Sequence, residues 1–360
     1  MTERLNRNSQ PLLDVRDLSV SYRLGQGKKI HAVDRVSFTL EQGERIGLVG
    51  ESGSGKSTIA KAILRLLPEN ARTTHGNILF RGRDLLRLSE TELNEVRWLE
   101  ISLVTQSAMN ALNPVARISE QFLETFAAHG MPHKQKVMLE AEQLFDLVGL
   151  SKRRIHEYPH QFSGGMRQRV IIAMAVALNP KLIIADEPTT ALDVIMQAQI
   201  INLLRSLSEA KKISLVLITH DISLVAEICE KVGVMYAGRL MEFGPIEMVF
   251  DHPFHPYTMG LKGALPSISD LDKELVSIPG SPPELTRPLD CCGFAPRCPF
   301  AVEACYKTVP DTVEVEPGHL CACLRMDHAE EFRLRIKEIL LAETANRQAA
   351  QGLHDRTGRC

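Results

Sequence analysis

The sequence predicts an α/β fold organised round a phosphate-binding loop, and three observations carry that prediction. A short apolar strand, Ile46 to Val49, runs into a glycine-rich stretch, Gly50 to Thr58, and then into a helical pattern. Two further apolar strands, Leu182 to Ala185 and Leu215 to Ile218, end in Asp186-Glu187 and Thr219-His220-Asp221. Continuous apolar runs suit parallel strands buried on both faces. Polar residues at the carboxyl ends of such strands stand where α/β sheets bind ligands.

Composition bounds the rest. At 360 residues, 44% hydrophobic and 24% charged, the chain has the make-up of a soluble globular protein with one large domain and a smaller one. The net charge is −2 and no basic run is present, which argues against a nucleic-acid partner. The N-terminal stretch lacks the apolar core of a signal peptide. The longest apolar run, Val170 to Leu178, stops at Asn-Pro and reads as a buried helix, well short of the ~18 residues that span a bilayer. The expected compartment is the cytosol, where thiols stay reduced.

In chain order, residues 1–10 read as a loose leader. Strands follow over 11–105, with a hairpin-like HGNILFRGRDL at 75–85. The helix after the glycine-rich loop places Ile59, Ile63 and Leu66 on one face. Residues 107–165 are helix-rich. The α/β pattern resumes over 166–250 and ends in a hairpin, VGVMYAGRLMEFG. At His255-Pro256-Tyr257-Thr258 the composition changes, and prolines and cysteines accumulate to about 326. Residues 331–347 carry a charged amphipathic pattern, and the last dozen read as a frayed end.

The chemistry is concentrated in a few places. In Gly50-Glu51-Ser52-Gly53-Ser54-Gly55-Lys56-Ser57-Thr58 the glycines let backbone N–H groups turn inward round phosphate oxygens. The following helix N-terminus adds a favourable dipole. Lys56 supplies charge to the terminal phosphates, and Ser57 offers a hydroxyl to Mg²⁺. Asp186 is placed to hold Mg²⁺ through water, and Glu187 to orient the attacking water. His220 is a candidate sensor of the γ-phosphate. Two acids or a lone histidine after a strand are more often structural; the phosphate loop changes the balance. Ser163-Gly164-Gly165 opens a long helix, so its free N–H groups form a second anion site. That site lacks a lysine of its own and suits a phosphate held by another subunit.

With these motifs the chain resembles the nucleotide-binding subunit of ATP-binding cassette (ABC) transporters over roughly residues 10–330. The resemblance implies an ABC ATPase core with an antiparallel β subdomain and a helical subdomain, 11–255 in all. The helical subdomain covers about 107–165 and docks on a membrane partner. A Cys/Pro-rich extension over 256–330 and a helical or disordered tail over 331–360 follow. It implies that Tyr22 stacks on adenine and that Gln106 touches Mg²⁺ and the attacking water. Phe162 to Met166 become the signature, Ala191-Leu192-Asp193 the D-loop and His220 the switch histidine. The common signature is Leu-Ser-Gly-Gly-Gln; here it is Phe-Ser-Gly-Gly-Met, with Gln168 nearby to compensate. FSGGMRQR is similar to the oligopeptide/dipeptide branch. The activity implied is ATP hydrolysis driving solute import at the cytoplasmic face of the inner membrane. The partners implied are a second ABC ATPase subunit, by preference a different chain, two transmembrane permease subunits and, indirectly, an extracytoplasmic solute-binding protein. The alternatives are a soluble ABC ATPase of DNA repair or the ribosome, or a degenerate regulatory module. One cassette without long insertions speaks against the first, and intact Lys56, Asp186, Glu187 and His220 against the second.

Seven of the eight cysteines fall in the last 70 residues, the other being Cys229. Five residues separate Cys292 from Cys298, six separate Cys298 from Cys305, and 17 separate Cys305 from Cys323. The pattern resembles the GCxFxPRCP extension of peptide-importer ATPases, some of which hold a 4Fe–4S cluster, so Cys292, Cys298, Cys305 and Cys323 are the expected ligands. Zn²⁺ is the main rival, although its structural sites favour short Cys-x2–4-Cys knuckles; free or disulfide-linked thiols remain open. Cys291 and Cys321 lie close enough to substitute for a neighbour. Cys229 reads as a buried helix residue.

Overall fold

Two neighbouring strands show how the molecule is layered. In the computed structural model, which describes residues 10–106, 111–131, 133–263, 278–336 and 338–339, Leu182 and Ile184 join one hydrophobic core while Ile183 and Ala185 join another. Val216 and Ile218 divide from Leu215 and Leu217 in the same way. Side chains alternate across a strand, so one sheet separates two cores and both of its faces are dry.

The chain opens with β1 (Leu13–Arg23), β2 (Lys29–Leu40) and β3 (Arg45–Val49), then α1 (Lys56–Ile63), β4 (Ala71–Phe80), β5 (Arg83–Asp84), α2 (Glu90–Val96) and β6 (Ile101–Val104). The helical part follows as α3 (Ile118–Ala128), α4 (Lys134–Leu147) and α5 (Gly164–Val176). The chain returns through β7 (Leu182–Asp186), α6 (Val194–Lys211), β8 (Ser214–Ile218), α7 (Ile222–Ile228), β9 (Lys231–Tyr236), β10 (Arg239–Pro245), α8 (Ile246–Asp251) and α9 (Pro256–Gly263). The extension supplies β11 (Val313–Glu316) and β12 (His319–Cys321), and helix resumes at 329–336.

An antiparallel sheet, β2-β1-β4-β5, closes one side, with the hairpin expected at 75–85 formed by β4 and β5. The large sheet runs β11-β12-β10-β9-β3-β8-β7-β6. Its β9-β3-β8-β7-β6 part is parallel, and β10, β12 and β11 are added antiparallel. Helix α7 lies close on β3: a Cβ at Gly47 would fall 2.1 Å from Val225 Cγ1. Among the described residues no helix is long and apolar enough to cross a membrane.

Two expectations change here. Helix α1 ends at Ile63, with Arg65 at φ 52, so Leu66 falls outside it and is exposed. Cys229 caps the end of α7, buried, and burial pushes its thiol well up. The extension is joined to the cassette: β12 pairs with β10, and Tyr257, Cys292, Phe294, Ala295 and Cys305 share the large helical-side core. Phe294 stands edge-on to Tyr236 at the end of β9, ring centroids 5.3 Å apart. Of the tail, residues 340–360 lie outside the described residues.

Candidate functional site

The loop between β3 and α1 wraps its own lysine. Lys56 Nζ donates to the carbonyls of Gly50 (2.7 Å) and Glu51 (2.9 Å) and to Ser54 Oγ (3.2 Å). Gly50 makes this turn possible: its φ is +146°, and a Cβ there would meet Met235 O at 2.0 Å. Gly53 and Gly55 also lie in the left-handed region, at +79° and +104°. Ser52 and Gly53 are exposed at the loop's mouth. Burial lowers the Lys56 pKa, against the pull of Glu187, Asp186 and Glu51.

The next two residues tie the loop to the sheet and to the small subdomain. Ser57 Oγ donates at 2.8 Å to Oδ1 of Asp186, the last residue of β7. Asp186 is buried, and burial raises its pKa while the Ser57 hydrogen bond opposes the rise. Thr58 is buried, with its Oγ1 3.2 Å from Tyr22 OH. The structure therefore brings the half-buried Tyr22 beside the first turn of α1.

Glu187 gathers the remaining groups. Gln106 Nε2 donates to Glu187 Oε2 at 2.8 Å and Thr190 Oγ1 to the same oxygen at 3.0 Å, while His220 Nδ1 lies 3.6 Å from Oε1. The Glu187 amide donates to Ile218 O at 2.8 Å, which fixes it between the ends of β7 and β8. Its φ is +47°, a conformation costly for a non-glycine residue by about 1–3 kcal/mol and typical of functional positions. His220 keeps 70% of its side chain exposed. Thr190 was not among the sequence candidates; its only signal was lying three residues after Glu187.

The second anion-binding motif lies apart from this cluster. Ser163 caps α5, its hydroxyl accepting from Met166 N at 3.4 Å, and Gly164 and Gly165 form the first turn. Gly165 has no room for a side chain, since a Cβ would fall 2.1 Å from Met196 Cε on α6. Asp193 is exposed and caps α6 by accepting from Met196 N at 2.9 Å. Just beyond it, Val194 and Ile195 are 79% and 72% exposed. The compensation expected from Gln168 is corrected: the residue is buried in α5 with its Nε2 unpartnered, facing the interior and not a ligand surface. Met166 instead meets Arg154, whose Nη1 lies 3.3 Å from its sulfur.

The cysteine-rich extension forms a second feature. Cys292, Cys298, Cys305 and Cys323 line one small cavity with His255, Phe294 and Phe300. Cys291 and Cys321 do not line it; Cys321 is fully buried in β12. Burial pushes the Cys298 thiol up to about 12 and the Cys323 thiol up to about 11, and raises Cys292 as well. One observation runs against a metal centre: among the described residues no three His, Cys, Asp or Glu side chains are grouped so that they would hold a metal ion.

Comparison with known proteins follows the same division. The family described as ABC transporter matches residues 33–190, and the oligopeptide/dipeptide transporter C-terminal region matches residues 241–305. The chain is 46% identical to the oligopeptide transport ATP-binding protein OppD of Salmonella typhimurium, over 90% of this chain and 98% of that one. It is 45% identical to OppD of Haemophilus influenzae, over 90% of this chain and 99% of that one. Among solved structures it is similar to the ATP-binding cassette MJ0796, a dimer in a post-hydrolysis state bound to ADP and Pi. That match has a TM-score of 0.58 and 30% identity, and covers 65% of this chain and 98% of that one.

Proposed function

The chain belongs to the ATP-binding subunits of ABC transporters, in the oligopeptide/dipeptide branch, and from that membership we propose that it hydrolyses Mg-ATP to drive uptake of di- and oligopeptides. The observation that carries the catalytic part is the convergence of Gln106, Thr190 and His220 on Glu187, beside the Ser57–Asp186 pair. In this reading Lys56 and the loop amides hold the phosphates. Ser57 and Gln106 would be the oxygen donors for Mg²⁺, with Asp186 holding it through water, and the ion would supply neutralising charge to the phosphates. Glu187 orients the attacking water, its carboxylate held by Gln106 and Thr190. His220 approaches from the end of β8 to meet the terminal phosphate. Tyr22, beside Thr58, supplies the adenine face.

The working unit has two cassettes. Ser163, Gly164 and Gly165 complete a partner's ATP site, and Asp193 lies on the same face. The exposed Val194 and Ile195 beside the signature helix support such a contact, as does the dimeric MJ0796 cassette. A related but different chain is the preferred partner. Two permease subunits carry the path through the membrane, with the helical subdomain docked on them at the cytoplasmic face, and a solute-binding protein delivers the peptide. Affinity purification from membranes should recover two hydrophobic proteins with the chain, and its deletion should abolish growth on peptides as sole amino-acid source. A chain recovered alone, from a deletion strain that still grows, would contradict the reading.

For the extension, Cys292, Cys298, Cys305 and Cys323 are proposed to hold a 4Fe–4S cluster. What supports this is four thiols lining one cavity. The cluster would supply a cross-link to a segment with few strands of its own; Zn²⁺ is the competing occupant.

A further inference from the structure

The phosphate loop is gripped from outside the cassette. Glu51 follows Gly50 at a position where the loop pattern asks for no particular side chain, yet all three of its polar groups are engaged. Its carbonyl accepts from Lys56 Nζ at 2.9 Å. Its amide donates to Tyr257 OH at 3.1 Å, and its carboxylate accepts from Arg297 Nη1 at 2.9 Å. These two partners come from 206 and 246 residues further along the chain.

Arg297 is itself held rigidly. Its Nε donates to Pro279 O (2.8 Å), its Nη2 to Ile278 O (3.1 Å) and its Nη1 also to Tyr236 OH (3.1 Å). The guanidinium lies 5.5 Å from the centroid of the Tyr236 ring, and only 6% of the side chain is exposed, against 27% for Glu51. A planar, pre-organised fork of this kind gives direction as well as charge. An ion pair held with one partner buried couples more strongly than a surface pair. No phosphate role is needed to explain Glu51, because its carboxylate is turned toward the extension.

We propose that Arg297 is a positioning residue for the ATP site, fixing through Glu51 the opening turn of the phosphate loop and with it the carbonyl that orients Lys56. The inference rests on reading the Lys56 loop as that site. Arg297 immediately precedes Cys298, so the clamp starts beside the cysteine-lined cavity.

The test is equilibrium binding of Mg-ATP to the full-length chain, with circular dichroism as a check on folding. Arg297→Met and Glu51→Gln should each weaken binding roughly tenfold, the loss of one charge-assisted contact. The double variant should bind no worse than either single one, because both remove the same interaction. Arg297→Lys should recover part of the loss. Arg333→Met serves as control: Arg333, on the helix that follows the extension, donates to Pro253 O at 3.0 Å, and its loss should leave ATP affinity unchanged. Should Arg297→Met fail to fold, Glu51→Gln, which keeps the side-chain shape, carries the comparison. Unchanged affinity in Glu51→Gln and Arg297→Met beside a wild type that binds, or losses that multiply in the double variant, would overturn the clamp alone. A wild type that does not bind Mg-ATP would overturn the ATP-site reading and the clamp with it.

Discussion

Glu187 sits in a conformation that few carboxylates adopt, with its two oxygens divided between different partners. Oε2 accepts from Gln106 and Thr190, and Oε1 faces His220. Thr190→Val should therefore slow hydrolysis while leaving ATP affinity intact, since it loosens the carboxylate and touches no phosphate donor; a change in affinity with unaltered turnover would contradict this. Lys56→Ala should do the reverse and weaken nucleotide binding, by a contact worth about 1.5–3 kcal/mol, as titration calorimetry would read. That Lys56, Asp186 and Glu187 come together was legible in the sequence because each sits at a fixed offset from a strand end. Thr190, Glu51 and Arg297 were not, because what defines them is a partner: Glu51 and Arg297 meet across 246 residues, and no local pattern encodes that.

At the scale of elements, β12 is the seam between cassette and extension. Glu242 of β10 is buried and accepts from the amides of Phe254 (2.8 Å) and His255 (3.0 Å), and its Oε1 lies 2.7 Å from His319 Nε2 on β12. Glu242→Ala leaves two amides and a buried imidazole nitrogen without that acceptor. It should cost about 3–5 kcal/mol, seen as a lower urea midpoint, with the extension becoming protease-sensitive; a loss under about 1 kcal/mol, an ordinary surface effect, would refute the seam. Gly50→Ala should displace the phosphate loop, because the added methyl falls on Met235 O. The apolar strands and the two hairpins could be read from period and turn residues. The pairing of β12 could not: three residues are too few to show a period, and its strand character comes from the β10 edge it covers. Leu66 fitted the helical spacing of α1, but the left-handed Arg65 ends the helix before it.

Taken as a whole, the molecule gathers Lys56, Asp186, Glu187 and His220 at the carboxyl ends of β3, β7 and β8, the proposed ATP site, with a cysteine-lined cavity joined to the loop by Arg297. Anaerobic purification with absorbance, iron and zinc analysis tests the cavity: iron is expected, lost in Cys298→Ser and kept in Cys291→Ser, whereas colourless protein with one zinc per chain would contradict the cluster. The central claim is that Glu187 drives hydrolysis within an assembled importer. Its most direct measurement is ATP turnover by the chain reconstituted in vesicles with its partner cassette, both permeases, the solute-binding protein and peptide. Glu187→Gln should still bind ATP and hold the cassettes closed, with turnover by its own site lowered on the order of 10²–10⁴-fold, the range for loss of a positioned acid–base group. Near-normal turnover at that site and continued peptide uptake by Glu187→Gln would contradict the account.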